Sequence, residues 1–178
     1  KEDNPSDQDF SGRFNILMKH LLAKDTNHDC HRKATFGTKV MPPNIIIESE
    51  DQNNSVCVAF MNCGGNGFAA RIKNLRNVLE EGNQFQQLII VRDHRSRKLG
   101  NKSQLLLNEL IDAGVYVHLI DKKETIQLNS IYDMLGAVEE HDISIINQEV
   151  KISEFLDFLR NSSLLEQSEI LRNVAAHS

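Results

Sequence analysis

The 178-residue chain carries little that would mark it for a special environment. Its three cysteines, Cys30, Cys57 and Cys63, are an odd and sparse set, which excludes a disulfide framework and suits a reducing compartment. Apolar runs stop far short of the roughly 20 residues that span a bilayer, and no basic region followed by an apolar stretch opens the chain. A cytoplasmic protein with no membrane partner is expected. With only 9 Gly and 3 Pro, against 40% apolar and 25% charged residues, the composition is that of a globular domain rather than a disordered chain. There is no internal repeat, no Walker motif and no second metal-binding pair of CxxC or HxxxH type.

The net charge of −5 is unevenly spread. Residues 1–67 hold 7 basic and 9 acidic side chains, residues 68–102 hold 8 and 3, and residues 103–178 hold 5 and 13. A short basic stretch inside an acidic protein argues against a uniform field for nucleic acid and for a local patch with its own task, or for a wet loop.

Hydrophobic periodicity divides the chain into elements. The opening stretch 1–10, which begins KEDNPSDQD, reads as an acidic linker or tail, as in a piece of something longer, and 11–178 reads as one α/β domain. Phe14, Leu17, Met18, Leu21 and Leu22 predict a helix over 12–24, with Ser11 as its N-cap. DTNHDCHRK is polar and turn-like. ATFGTKV is a weak strand, and NIIIES and SVCVAFM are strands that should form a hairpin. NCGGNG then leads into a helix through Phe68, Ile72, Leu75 and Val78 that ends near Gly82. QLIIVRD is the clearest strand. After the loop HRSRKLGNK, Ser103 is a candidate cap for a helix closed by Gly114, and VYVHLID is the next strand. This alternation implies a parallel portion of sheet covered by helices. From 122 to 178 the pattern is helical, broken by ISII, with final helices around Phe155–Leu159 and Leu164–Val174 whose apolar faces can pack on the sheet or support a homodimer.

Over about residues 12–121, the order helix, strand, hairpin, helix, strand, helix, strand resembles the restriction-endonuclease-like fold, the PD-(D/E)XK superfamily. The resemblance implies a three-layer core with a mixed central sheet. It also implies a carboxylate ending the second strand and an acid-x-Lys element on the third, which together hold Mg²⁺ and steady the attacking water. Glu48 and Glu50, with Asp51, stand where the first carboxylate belongs. The third strand, Val56-Cys57-Val58-Ala59-Phe60, offers neither acid nor lysine. The implied activity is that of a nuclease fold without cleavage, needing no cofactor. An active Mg²⁺-dependent nuclease would have to use Glu48 and Glu50 with Lys73, or Arg71, migrated to the next helix. VAFMNCGGNGFAARIKNL, followed by LIIVRD and a basic loop, is also similar to C-terminal domains that follow P-loop ATPase modules in bacterial proteins. That likeness implies a place beside other domains or subunits of a larger, ATP-driven prokaryotic protein.

Arg92, Arg95, Arg97, Lys98 and Lys102 fall within one loop region just past a core strand, and Arg71, Lys73 and Arg76 can extend the surface. Guanidinium forks suit phosphate oxygens, so nucleic acid is the candidate partner, set against the alternative that loops are charged because they are wet. Aromatics are only 6% of the chain, which gives stacking on single-stranded bases little support. Gly64, Gly65 and Gly67 lie between strand and helix, where exposed amides can cradle a phosphate, as in a Rossmann-like nucleotide-binding signalling domain, or simply form a tight turn. His28, Asp29, Cys30 and His31 group metal-capable atoms without the second pair a structural zinc requires. Cys63 beside the glycines has no identifiable base, and Cys57 sits in an apolar run. Asp93 and Asp121 each end a core strand, as functional groups or as caps.

Overall fold

A computed structural model describes residues 6–22, 29–48, 55–82, 84–145 and 148–177. In chain order the elements are α1 (Asp7–Leu22), β1 (Asp29–His31), β2 (Thr35–Phe36), β3 (Lys39–Val40), β4 (Asn44–Glu48), β5 (Val56–Phe60), α2 (Gly65–Glu81), β6 (Gln87–Asp93), α3 (Asn101–Asp112), β7 (Tyr116–Ile120), α4 (Lys122–Glu139), β8 (Ser144–Ile145), β9 (Gln148–Glu149), α5 (Ile152–Asn161), α6 (Ser163–Gln167) and α7 (Glu169–His177).

The apolar runs become the middle of a five-stranded sheet of order β1-β4-β5-β6-β7. β4 pairs antiparallel with β5, as the hairpin reading expects, whereas β5, β6 and β7 are parallel and connected through α2 and α3. Every residue of β5 is buried, because helices cover both faces and leave no wet side for polar alternation. Ile45, Ile47, Val56, Val58, Phe60, Ile89 and Val91 point to the layer of α1, α4, α5 and α7. Ile46, Cys57, Ala59, Leu88 and Ile90 point to α2 and α3.

Several expectations change at the ends of elements. α1 begins at Asp7, inside the expected tail, because Phe10 and Phe14 pack edge-on against Phe60 with ring centroids 5.4 and 5.7 Å away. Burying a phenyl ring contributes about 1.5–3 kcal/mol, which favours extending the helix. Ser11 is therefore mid-helix, donating to the Gln8 carbonyl at 2.9 Å, and Ser6 Oγ accepts from Asp9 N–H instead. The segment expected to be a polar turn contains β1, which pairs with β4 and buries Cys30. ATFGTKV is two short strands, β2 and β3, paired around Gly37. Gly100, not Ser103, is the N-cap of α3. Gly82 closes α2 at φ +65°, donating to the Val78 and Leu79 carbonyls, in a conformation that favours glycine.

The last helices are tied down by polar contacts. Arg160 Nη2 donates to the His20 and Leu21 carbonyls at 3.4 and 3.1 Å, satisfying the end of α1 from α5. The expected helix over 164–174 breaks at buried Ser168, which starts α7. Glu124 Oε1 accepts from Ser168 Oγ at 3.0 Å and from Ile170 N–H at 2.9 Å, and Oε2 lies 2.7 Å from Nε2 of buried His118. Burial pushes the Glu124 carboxyl up, but these hydrogen bonds and the imidazole outweigh it and hold it below the ordinary range. No helix among the described residues is long and apolar enough to cross a membrane.

Candidate nucleic-acid interface

The parallel strands β5 and β6 deliver their carboxyl ends to two loops, Met61–Gly64 and His94–Gly100, and the cations concentrate there. Arg92 is buried and donates to the carbonyls of Met61, Cys63 (3.0 Å) and Arg97 (3.2 Å), with its guanidinium 5.0 Å from the Phe68 ring centroid. It is a strut between the loops rather than part of an exposed cationic surface. Arg95 lies against Asp93, whose Oδ1 accepts from Arg95 N–H at 2.7 Å and from Nε at 2.9 Å, so the turn-cap reading of Asp93 is the one observed. Asp121 likewise caps α4, accepting from Glu124 N–H at 2.7 Å. Arg76 pairs with Glu80 and Glu109.

Two residues that the sequence did not single out complete this scaffold. Asn62 Oδ1 accepts from Asp93 N–H at 2.6 Å and from Ser96 Oγ at 2.8 Å, while its own N–H donates to Asp7 at 2.9 Å. Asp7 is raised above the ordinary carboxylate range by burial, against the pull of Asn62, Arg71 and Arg92. Its position in the expected tail hid it. An asparagine following an apolar strand gave only a generic turn signal.

Arg76 and Arg95 are exposed but paired, whereas exposed Arg97, Lys98, Lys102 and Lys73 form no ion pair among the described residues. Arg71, half-buried, donates to Cys63 Sγ at 3.3 Å. The α2 and α3 N-termini open onto this surface. Gly64 and Gly100 cap them without a side-chain hydrogen bond, neither first turn has an acidic side chain, and Ser103 Oγ lies 3.4 Å from the Gly65 carbonyl, joining the two. Gly65 itself sits at φ +62°. Uncapped amides and the positive ends of two helix dipoles thus face the same region as the unpaired cations, an arrangement suited to phosphate oxygens.

Glu48 is elsewhere. Because β4 runs antiparallel to β5, Glu48 emerges beside the amino end of β5, at the opposite end of the sheet from Asp93. At about 3.3 Å per residue, the seven-residue β6 puts the two ends on the order of 20 Å apart. No hydrogen bond or ion pair joins Lys73 to Glu48 among the described residues. Glu50, Asp51 and His28 lie outside the described residues. Glu48 instead faces β1, where Asp29, His31 and Glu48 each bring a ligand atom to within 4.8 Å of the others. Cys30 points the other way, into the core, with burial pushing its thiol up to about 11, so Cys30 and His31 do not share a metal site. Cys57 is fully buried and pushed higher still.

No family model matches the chain, and no curated protein is similar to it. The geometry therefore stands on its own. A second open feature is an apolar groove of about 890 Å³ between α4, the β8–β9 hairpin and α5, lined by Met134, Val138, Val150, Phe155 and exposed Phe158.

Proposed function

We propose that this is a noncatalytic accessory domain with a restriction-endonuclease-like core, which binds nucleic acid through its phosphates at the carboxyl end of the parallel strands. It would serve within a larger, ATP-driven prokaryotic protein. The succession of α1, the antiparallel β1, β4 and β5, then α2 and the parallel β6 supports that core. The observation that carries the binding reading is the convergence of two uncapped helix N-termini with Arg97, Lys98 and Lys102. Such contacts position a backbone without reading sequence. β5 carries neither carboxylate nor lysine, which supports the absence of cleavage, because its side chains offer no metal-ligating oxygen.

Fluorescence anisotropy with labelled duplex and single-stranded DNA and RNA, over a salt series in EDTA and then in Mg²⁺, tests this, with products run on a gel. Salt-sensitive binding without cleavage is expected. The combined variant Arg97→Ala, Lys98→Ala, Lys102→Ala should weaken it by at least about tenfold and reduce the salt slope by roughly 2 to 3. Absence of binding at low salt would sink the reading. Mg²⁺-dependent cutting abolished by Glu48→Ala would replace it with an active nuclease, and a thermal shift with a mononucleotide lost in Gly65→Val would favour a nucleotide-binding domain.

A further inference from the structure

β1 is only three residues long, yet its alternation sorts them sharply. In the register Asp29↔Glu48, Cys30↔Ile47, His31↔Ile46, Cys30 and Ile47 enter the core beneath α1. Asp29 and His31, two apart on one strand, and Glu48, directly across from Asp29, therefore share the opposite face. Two carboxylates set opposite each other on paired strands repel, so this register carries a cost. Two neighbouring bases are engaged elsewhere: Arg32 reaches the Gln8 carbonyl at 3.5 Å, and Lys33 donates to Gln84 at 2.9 Å and lies over the Phe36 ring. The partner recorded for Asp29 among the described residues is His31 Nδ1, at 3.9 Å, longer than a hydrogen bond.

We propose that Asp29, His31 and Glu48 form a site for a divalent first-row transition ion. Ligand bonds of about 2.0–2.2 Å place neighbouring donors on one ion roughly 3–4 Å apart, so the three atoms, already within 4.8 Å, can close on it by rotamer adjustment. One imidazole with two carboxylates suits Mn²⁺, Fe²⁺ or Zn²⁺ better than Mg²⁺ or Ca²⁺, which take oxygen almost alone. Three protein ligands at an exposed edge leave positions for water, as in an open site rather than a closed structural one. The ion offsets the Asp29–Glu48 repulsion and clamps the short edge strand to β4. The site is independent of the phosphate-binding surface, at the other end of the sheet.

The test is a titration of the untagged full chain, stripped with EDTA and desalted, with MnCl₂, free Mn²⁺ being followed by electron paramagnetic resonance. Saturable binding of one ion per chain is expected, unaffected by excess MgCl₂. His31→Ala and the isosteric Glu48→Gln should each weaken it at least about tenfold, while melting of both variants in EDTA stays close to that of the parent. Absence of saturable Mn²⁺ binding overturns the proposal. So does binding of undiminished affinity in both variants, which would place the ion on other ligands. Were His31→Ala to misfold, Glu48→Gln and Asp29→Asn would decide by the same readout.

Discussion

At the carboxyl end of β5 and β6, Arg92 is sunk between the loops as a strut, Arg95 lies against Asp93, and the outlying cations face water. At the other end, where β4 leaves the sheet, carboxylates face each other across an edge pair. The contrast separates two uses of charge. Arg92 organises backbone carbonyls, and its charge is hidden from any partner. Asp29 and Glu48 are exposed on an edge pair, and among the described residues Asp29 lies 3.9 Å from His31. Charge counted along the chain mixes the two, which is why the basic stretch reads as more cationic than the surface it builds.

The sharpest way to break the contrast is Arg92→Ala. It strands three carbonyls, and we expect a loss of about 3 kcal/mol in urea unfolding, together with loss of phosphate binding because both loops slacken. Lys98→Ala should do the reverse, weakening duplex binding severalfold while leaving the unfolding midpoint within about 0.5 kcal/mol. Equal losses of stability from both variants would erase the distinction between strut and contact.

Glu124→Gln should cost about 1–2 kcal/mol at neutral pH. Its folded carboxyl lies below the ordinary 4.5, so its contribution is complete above that value and fades as pH falls through the depressed one. Urea midpoints measured across roughly pH 5 to 3 should therefore fall less steeply in Glu124→Gln than in the parent. Asp7 has the opposite sign: raised above 3.8, it favours the folded state at low pH and loses that contribution as pH rises through its raised value. The smallest effect belongs to Asp29→Asn, which in EDTA should stabilise by a few tenths of a kcal/mol through relief of the repulsion with Glu48. A loss of stability there would mean that the opposed carboxylates are not in conflict.

Much of the fold was legible because β4 to β7 announce themselves as β-branched runs and α2 and α3 as spaced stripes. β1 was not, since Asp-Cys-His offers one apolar residue in three and its burial depends on a partner strand far along the chain. The Ser11 and Ser103 caps failed because a serine suits a buried helix position wherever a carbonyl can accept from it. The site was legible in composition and hidden in geometry. Side-chain type alone marks Arg92 as a surface group, whereas only packing shows it as a strut. The separation of Glu48 from Arg95 was implicit in the hairpin and the parallel crossover, both of which the sequence signalled.

The clasp between Arg160 and the end of α1 has a consequence for how the chain is made. Its hydrogen bonds join residues 139 and 140 positions apart, and α1 packs against helices that come later in the chain. During synthesis, Phe10 and Phe14 can meet Phe60 once β5 has emerged, but α4 and α5, which complete the layer around α1, come much later. Contacts of such long sequence separation form late, so the end of the first helix that Arg160 clasps has to wait for α5.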